Sequence, residues 1–169
     1  MQRFGKLTRR MVYSVGCIIA LLLCSCEGTN NSSVPVYPVR FEVNTKTVFI
    51  DFTPQNINAY ITLDREGYKE NGEWRLPAKA TDAWGYGGVV LYVSMVGYAA
   101  FDLACPHCAA LGRRSPCEMD GIYAVCPECG EEYEVASGYG FPRKGISKEA
   151  MRRLNTYVSE NGDLIQVRQ

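Results

Sequence analysis

Apolar and polar residues alternate with a period of two in three early segments of the chain, residues 39–43, 48–52 and 57–63. This period is typical of strands that have one buried and one exposed face. A nearly continuous apolar run follows at 89–96 and predicts a strand that is covered on both faces. Gly97 then turns the chain into 98–103, which predicts a hairpin.

Short strands also dominate the C-terminal half of the chain, where they are predicted at 122–125, 132–135, 156–158 and 164–167. Asn161-Gly162 joins the last two strands, because both residues accept the positive φ that a two-residue hairpin turn requires. Helical character is limited to 147–154, where Ser147 can cap the first turn. The polar stretch 66–84 predicts a loop. Together these patterns predict an all-β fold.

The first 25 residues read as a targeting segment rather than as part of the fold. They carry four basic and no acidic side chains, and their apolar run, 11–24, is shorter than the roughly 20 residues of a membrane-spanning helix. This combination predicts a secretory signal peptide. Arg9-Arg10 leaves export by the twin-arginine route open beside the general route.

The leader ends in Leu23-Cys24-Ser25-Cys26, which resembles the bacterial lipobox. The resemblance implies cleavage before Cys26, acylation of its sulfur and a protein anchored by lipid in the cell envelope, periplasmic or at the outer membrane. The alternative is an ordinary signal peptide followed by an incidental cysteine. Residues 26–36 then form the lipidated cysteine and a flexible polar spacer, and 37–169 form the domain.

Charge and composition restrict the function further. The chain beyond residue 25 carries 14 basic and 18 acidic residues, so it lacks the basic surface that nucleic-acid binding needs. Its single histidine, His107, excludes a metal site made of several histidines. We find no phosphate-binding loop and no nucleophile with a base, so the sequence indicates no catalytic site.

Two Cys-x-x-Cys turns, Cys105-Pro-His-Cys108 and Cys126-Pro-Glu-Cys129, are the most specific chemical signal in the chain. Each turn can direct two sulfur atoms at one ion, and four cysteines at this spacing favour tetrahedral zinc or iron. Two short disulfides are the alternative, because an exported protein meets an oxidising compartment. Cys117, between the turns, adds a fifth thiol without an evident partner.

The stretch from 85 to 167 resembles a Rieske-type [2Fe–2S] iron–sulfur domain, in particular the Rieske-like domains of bacterial lipoproteins. The matching residues are, in order, Gly85-x-Gly87-Gly88, Ala100-Phe101-Asp102-Leu103-Ala104, Cys105-Pro-His107, Cys126-Pro-x-Cys129-Gly130, Gly145-Ile146 and Asn161-Gly162. The resemblance implies an antiparallel β-sandwich that carries a small, rubredoxin-like subdomain with two metal-binding knuckles.

By this resemblance Cys105, His107 and Cys126 occupy ligand positions, and Cys129 stands where the family has its final histidine. The implied centre is a [2Fe–2S] cluster held by these four residues. Alternatively Cys108 replaces His107, and four thiolates hold zinc, a single iron or a ferredoxin-type cluster. A third alternative is a relic that contains disulfides and no metal.

The function implied by the resemblance is one-electron transfer with a membrane-associated oxidoreductase as partner. Because histidine ligands raise Rieske potentials, a cluster with at most one histidine should have a lower potential than a typical Rieske centre. The alternative is a non-redox structural or binding module in which zinc or disulfides fasten the two turns.

Overall fold

The computed structural model describes residues 32–169. The predicted signal peptide and the lipobox Cys26 lie outside the described residues. Within them, no helix is long and apolar enough to cross a membrane. The strands are β1 Val39–Asn44, β2 Tyr60–Leu63, β3 Gly67–Glu70, β4 Glu73–Pro77, β5 Ala83–Trp84, β6 Val89–Ser94, β7 Gly97–Asp102, β8 Glu118–Asp120, β9 Tyr123–Val125, β10 Glu132–Glu134, β11 Phe141–Lys144, β12 Arg153–Val158 and β13 Leu164–Arg168; the helix α1 is Pro106–Ala110.

The strands form two antiparallel sheets. The larger has the order β4-β3-β2-β6-β7-β12-β13-β1-β5, and the smaller has the order β11-β10-β9-β8. The large sheet curls on itself, since the rings of Phe41 on β1 and Tyr68 on β3 pack with centroids 6.1 Å apart although five strands separate them in the sheet. The predicted all-β class is confirmed for residues 32–169.

Strand β6 separates two hydrophobic cores and so fixes the position of the small sheet. Val89, Leu91 and Val93 face the core enclosed by the large sheet. Val90 and Tyr92, on the opposite face of β6, pack in a second core beneath the small sheet. All six residues of β6 are buried, which confirms the prediction of a strand covered on both faces for 89–94. The predicted run extended to 96, but Met95 and Val96 are exposed. The cysteines of both turns belong to the second core.

The carboxylate of Asp102 fastens the end of β7 to the glycine turn that precedes β6. It accepts hydrogen bonds from the backbone N–H groups of Tyr86 (2.8 Å), Gly87 (2.9 Å) and Ala104 (2.9 Å). Burial raises the pKa of Asp102, while these three bonds and the charge of Arg152 oppose the rise. A Cβ on Gly87 would come within 2.2 Å of the Ala104 nitrogen, so only glycine permits this close approach beside Cys105.

Two of the predicted elements are wrong. The helix predicted at 147–154 is absent, because backbone N–H groups in this part of the chain donate to distant residues instead of to a helical partner. The N–H groups of Ile146 and Ser147 donate to the Glu131 carboxylate, and Met151 N–H donates to the Gly140 carbonyl. The loop predicted at 66–84 instead contains β3, β4 and β5.

The first half of the chain shows two smaller differences. Residues 48–52 form turns rather than a strand, and the predicted alternation is wrong there. Phe52 is buried as predicted, but Val48 and Ile50 are exposed, and Phe49 is buried in the large core instead. The predicted spacer also ends before residue 36. The Val34 side chain is fully buried, and Ser33 hydrogen-bonds to the carboxylate of Glu149. The packed part of the chain therefore includes residues that precede the predicted boundary at 37.

We expect Asp102→Ala to lower the free energy of unfolding by at least about 3 kcal/mol, because three N–H groups lose a buried acceptor. Urea unfolding followed by fluorescence measures the loss. The matched control is Asp51→Ala, which removes an exposed carboxylate and should change stability by no more than about 0.5 kcal/mol. Equal stability of the two variants would contradict this role of Asp102.

Candidate metal centre

The first cysteine turn connects β7 to α1. Cys105 is the extended N-cap residue of the helix, Pro106 occupies its first turn, and the carbonyl of Cys105 accepts a hydrogen bond from Ala109 N–H at 2.9 Å. Pro is favoured there because its fixed φ suits the helix and its missing N–H needs no partner. The single helical turn carries the Cys108 side chain back towards the Cys105 side chain.

The second cysteine turn connects β9 to β10 at the end of the small sheet. Gly130 N–H donates to the carbonyl of Cys126 at 2.9 Å, and Cys126 N–H donates to the carbonyl of Glu131 at 2.9 Å. Gly130 has a φ of 73°, a conformation that glycine adopts without steric cost. The turn therefore closes tightly and presents the sulfur atoms of Cys126 and Cys129 on the same side.

The two turns bring four sulfur atoms together. The Sγ atoms of Cys105, Cys108, Cys126 and Cys129 all lie within 4.8 Å of one another. The shortest contacts cross between the turns: Cys105 to Cys129 at 3.6 Å and Cys108 to Cys126 at 3.8 Å. All five cysteines of the described chain are free thiols, so the disulfide alternative is not seen in residues 32–169.

These spacings match one tetrahedral metal ion. With metal–sulfur bonds of about 2.3 Å, the edge of a tetrahedron of sulfur ligands is about 3.8 Å. In a two-iron cluster, treated as two such tetrahedra that share an edge, sulfur ligands on different irons stand roughly 5–6.5 Å apart. The upper limit of 4.8 Å is shorter than that range. The donor set of four thiolates also suits zinc or a single iron.

His107 does not belong to the group of converging ligand atoms found within residues 32–169. It is half-buried on α1, between the two ligand cysteines of its turn. The resemblance implied four ligands, and the structure brings three of them together: Cys105, Cys126 and Cys129. Cys108 takes the place of His107 as the fourth donor. This arrangement corresponds to the alternative in which Cys108 replaces His107.

Two hydroxyl groups point at the sulfur atoms from outside the cysteine turns. The Ser115 Oγ lies 3.2 Å from the Sγ of Cys126, and the Tyr133 hydroxyl lies 3.5 Å from the Sγ of Cys105. Both residues are buried. Sequence reasoning did not identify them as site residues, since a serine in a connecting loop and a tyrosine in a strand carry no motif of their own.

Backbone groups and one cation also face the sulfur atoms. The N–H groups of Cys108 and Glu131 hydrogen-bond to the sulfurs of Cys105 and Cys129, and each bond opposes the rise in pKa that burial causes at its sulfur. Arg113 lies 4.0 Å from the Cys108 sulfur and forms an ion pair with Glu128. All of these donors favour negatively charged sulfur.

The pKa values of three of these thiols shift in opposite directions when no cation is present. Hydrogen bonding, above all from Cys117, lowers the pKa of Cys105 to about 4. Burial raises the pKa of Cys129 to about 11 and that of Cys108 further. Ionisation of Cys108 and Cys129 beside Cys105 therefore requires a cation, and metal binding must release protons. Cys117 itself stays a thiol, because donating to Cys105 raises its pKa.

A buried carboxylate holds the second turn in place. Glu131, directly after Gly130, accepts hydrogen bonds from the backbone N–H groups of Ile146 (2.6 Å) and Ser147 (3.1 Å). A Cβ on Gly145 would stand 2.2 Å from this carboxylate. The segment around Gly145-Ile146, which is one of the stretches that resemble the Rieske family, thus packs closely around Glu131.

Comparisons with known proteins include a weak structural likeness. The chain matches no protein-family model and no curated protein. A chain from the complex of reduced oxygenase and oxidized ferredoxin in carbazole 1,9a-dioxygenase superposes with a TM-score of 0.44 and 14% identity, over 77% of this chain and 93% of that one. A match at this level assigns neither a family nor a function. The four-cysteine cluster by itself fits a metal or iron–sulfur centre.

Substitution distinguishes the two candidate ligand sets. We expect Cys108→Ala to lose the bound metal, because three sulfurs cannot complete a four-coordinate closed site. His107→Ala should retain one metal ion per chain. Metal content of the purified variants, measured by plasma mass spectrometry, checks both. Loss of metal from His107→Ala together with retention in Cys108→Ala would show that His107, and not Cys108, is the fourth ligand.

Proposed function

We propose that the protein is an exported, lipid-anchored carrier of single electrons, whose iron–sulfur centre is one iron ion held by Cys105, Cys108, Cys126 and Cys129. The observation that carries this proposal is the convergence of four sulfur atoms within 4.8 Å. When bound, iron supplies a one-electron change of oxidation state. The chain supplies the ligands, their burial and the hydrogen bonds that set the potential.

The hydroxyl donors favour a redox role over a purely structural one. Hydrogen bonds to ligand sulfur tune the reduction potential of iron–sulfur centres. Ser115 and Tyr133 contribute such bonds from buried side chains, in addition to the backbone bonds that any cysteine turn makes. Cys129 is the most exposed of the four ligands, so it offers a partner protein the shortest approach to the centre.

The location and partner belong to the same proposal. The basic leader, its short apolar run and the lipobox-like Leu23-Cys24-Ser25-Cys26 support export and acylation at Cys26. An anchor of this kind keeps the domain at a membrane surface. We therefore propose a membrane-associated oxidoreductase as the electron donor or acceptor.

A structural zinc site is the second candidate function. The small sheet has strands of only three or four residues, which alone form few ladder bonds. One tetrahedral zinc ion would join its two cysteine turns and supply folding energy directly. In that case the protein would be a non-redox module, and the hydroxyl bonds would merely neutralise sulfur charge.

Metal and sulfide analysis of the protein, purified anaerobically after native export, separates these candidates. We expect one iron per chain, no acid-labile sulfide and a reversible one-electron reduction. One zinc per chain with no redox activity would contradict the electron carrier and support the structural module. Two irons and two sulfides per chain would contradict the one-iron centre and support a [2Fe–2S] cluster.

Removal of the hydroxyl donors should lower the reduction potential. A hydrogen bond to ligand sulfur stabilises the additional negative charge of the reduced centre, so its loss favours the oxidised state. We expect Ser115→Ala and Tyr133→Phe each to lower the potential by tens of millivolts. Protein-film voltammetry measures the shift. Tyr139→Phe is the matched control, because it removes a hydroxyl of a half-exposed ring for which no hydrogen bond to a ligand sulfur is found within residues 32–169; an equal shift there would refute the assignment.

A further inference from the structure

Positive charge is concentrated in one short segment of the described chain. Residues 139–153 contain five basic and one acidic side chain, whereas the other described residues contain nine basic and 16 acidic ones. Two of the five bases have internal partners: Lys144 pairs with Glu132 at 2.7 Å, and the buried Arg152 bonds to the Val34 carbonyl. The remaining three are exposed and form no ion pair within residues 32–169.

Exposed apolar side chains lie among these bases. Tyr139 and Phe141 stack with ring centroids 5.5 Å apart and are 50% and 53% exposed, and the Arg153 guanidinium lies 5.8 Å from the Tyr139 ring. Ile146 is 77% exposed. We use the name basic aromatic face for the exposed aromatic, apolar and unpaired basic residues of segment 139–153, which are Tyr139, Phe141, Arg143, Ile146, Lys148 and Arg153. Stacked aromatics that stay in water suggest an absent partner.

The chain that leads to the anchor leaves the domain beside this face. Ser33 bonds to Glu149 at 2.5 Å and 2.6 Å, and Met151 N–H bonds to the Gly140 carbonyl at 2.9 Å, between Tyr139 and Phe141 in sequence. Cys26 precedes Ser32 by six residues, which span at most about 21 Å even when fully extended. A lipid on Cys26 would therefore be tethered to Ser32 by no more than this length of chain.

We propose that the basic aromatic face docks on the surface of a membrane that contains anionic lipids. Aromatic rings favour the interface between headgroups and acyl chains, and exposed Lys and Arg near it are attracted to anionic headgroups. This proposal rests on the lipid anchor of the proposed function. Ile146 N–H donates to Glu131, which lies beside the second cysteine turn. Docking that holds Ile146 at the membrane therefore keeps the metal centre at a constant distance from the membrane surface, where a membrane-bound partner can reach it.

Quenching by brominated lipid tests the docking directly. The full lipidated protein with Phe141→Trp is reconstituted into vesicles of phosphatidylglycerol and phosphatidylcholine brominated on its acyl chains. The parent protein, with its native Trp74 and Trp84, gives the background; Trp74 is exposed on β4, five positions from β12 in the large sheet. We expect Phe141→Trp to be quenched at least about two-fold more than this background.

Charge dependence provides the second readout. The double variant Arg143→Glu/Lys148→Glu in the Phe141→Trp background should lose most of the added quenching, and so should about 0.5 M NaCl. The matched control, Arg65→Glu/Lys79→Glu, reverses two exposed bases outside the face and should retain it. Quenching of Phe141→Trp at the background level would overturn the proposal. A dimer in detergent that shields the introduced tryptophan from a water-soluble quencher would also overturn it, and would identify a second copy of the chain as the occupant.

Mass spectrometry of the mature N-terminus distinguishes failure of the anchor from failure of the metal centre. An acylated Cys26 supports the docking proposal. An unmodified Cys26 overturns the anchor and the docking together, while the metal and sulfide content of the same sample tests the electron-carrier proposal independently.

Discussion

The structure depends on one electrostatic constraint: four cysteine sulfurs share a space less than 4.8 Å across, three of them buried. So many thiolates repel one another and cannot all ionise in a buried site unless a cation accompanies them. The Cys-x-x-Cys turns, the backbone N–H donors and the hydroxyls of Ser115 and Tyr133 all favour the charged form of sulfur. A single tetrahedral ion satisfies this arrangement, and the spacing between sulfurs has the length that such an ion requires.

Two buried carboxylates hold the frame around the sulfurs, and they act in similar ways. Asp102, three residues before the first cysteine turn, gathers backbone N–H groups from the turn that contains Gly87. Glu131, directly after the second turn, gathers those of the segment after Gly145. In both cases a glycine is required at the close approach: a Cβ on Gly87 would clash with the Ala104 backbone, and a Cβ on Gly145 would clash with the Glu131 carboxylate. Each cysteine turn is thus fastened to a distant loop, and the position of its sulfurs does not depend on the small sheet alone.

The parts of this arrangement that follow local rules could be predicted, and the parts that depend on distant partners could not. The alternation at β1 and β2, the continuous run of β6 and the cysteine spacing each reflect a single element, and the structure contains them. The segment 147–154 has a helical pattern, but its N–H groups are taken by Glu131 and Gly140, which no local window reveals. Ser115 is similar: its hydroxyl reaches Cys126 because an isolated bridge between Ala104 and Pro116 aligns two loops. The choice between His107 and Cys108 also required the geometry, since both lie in the same turn.

X-ray absorption at the edge of the bound metal, recorded on the protein as exported, tests the central claim most directly, because it counts ligand atoms and their distances without reference to the fold. We expect four sulfur neighbours at about 2.3 Å, no nitrogen ligand and no second metal nearby. A nitrogen neighbour at about 2.0–2.1 Å together with a second iron would contradict it and show that His107 binds a two-iron cluster.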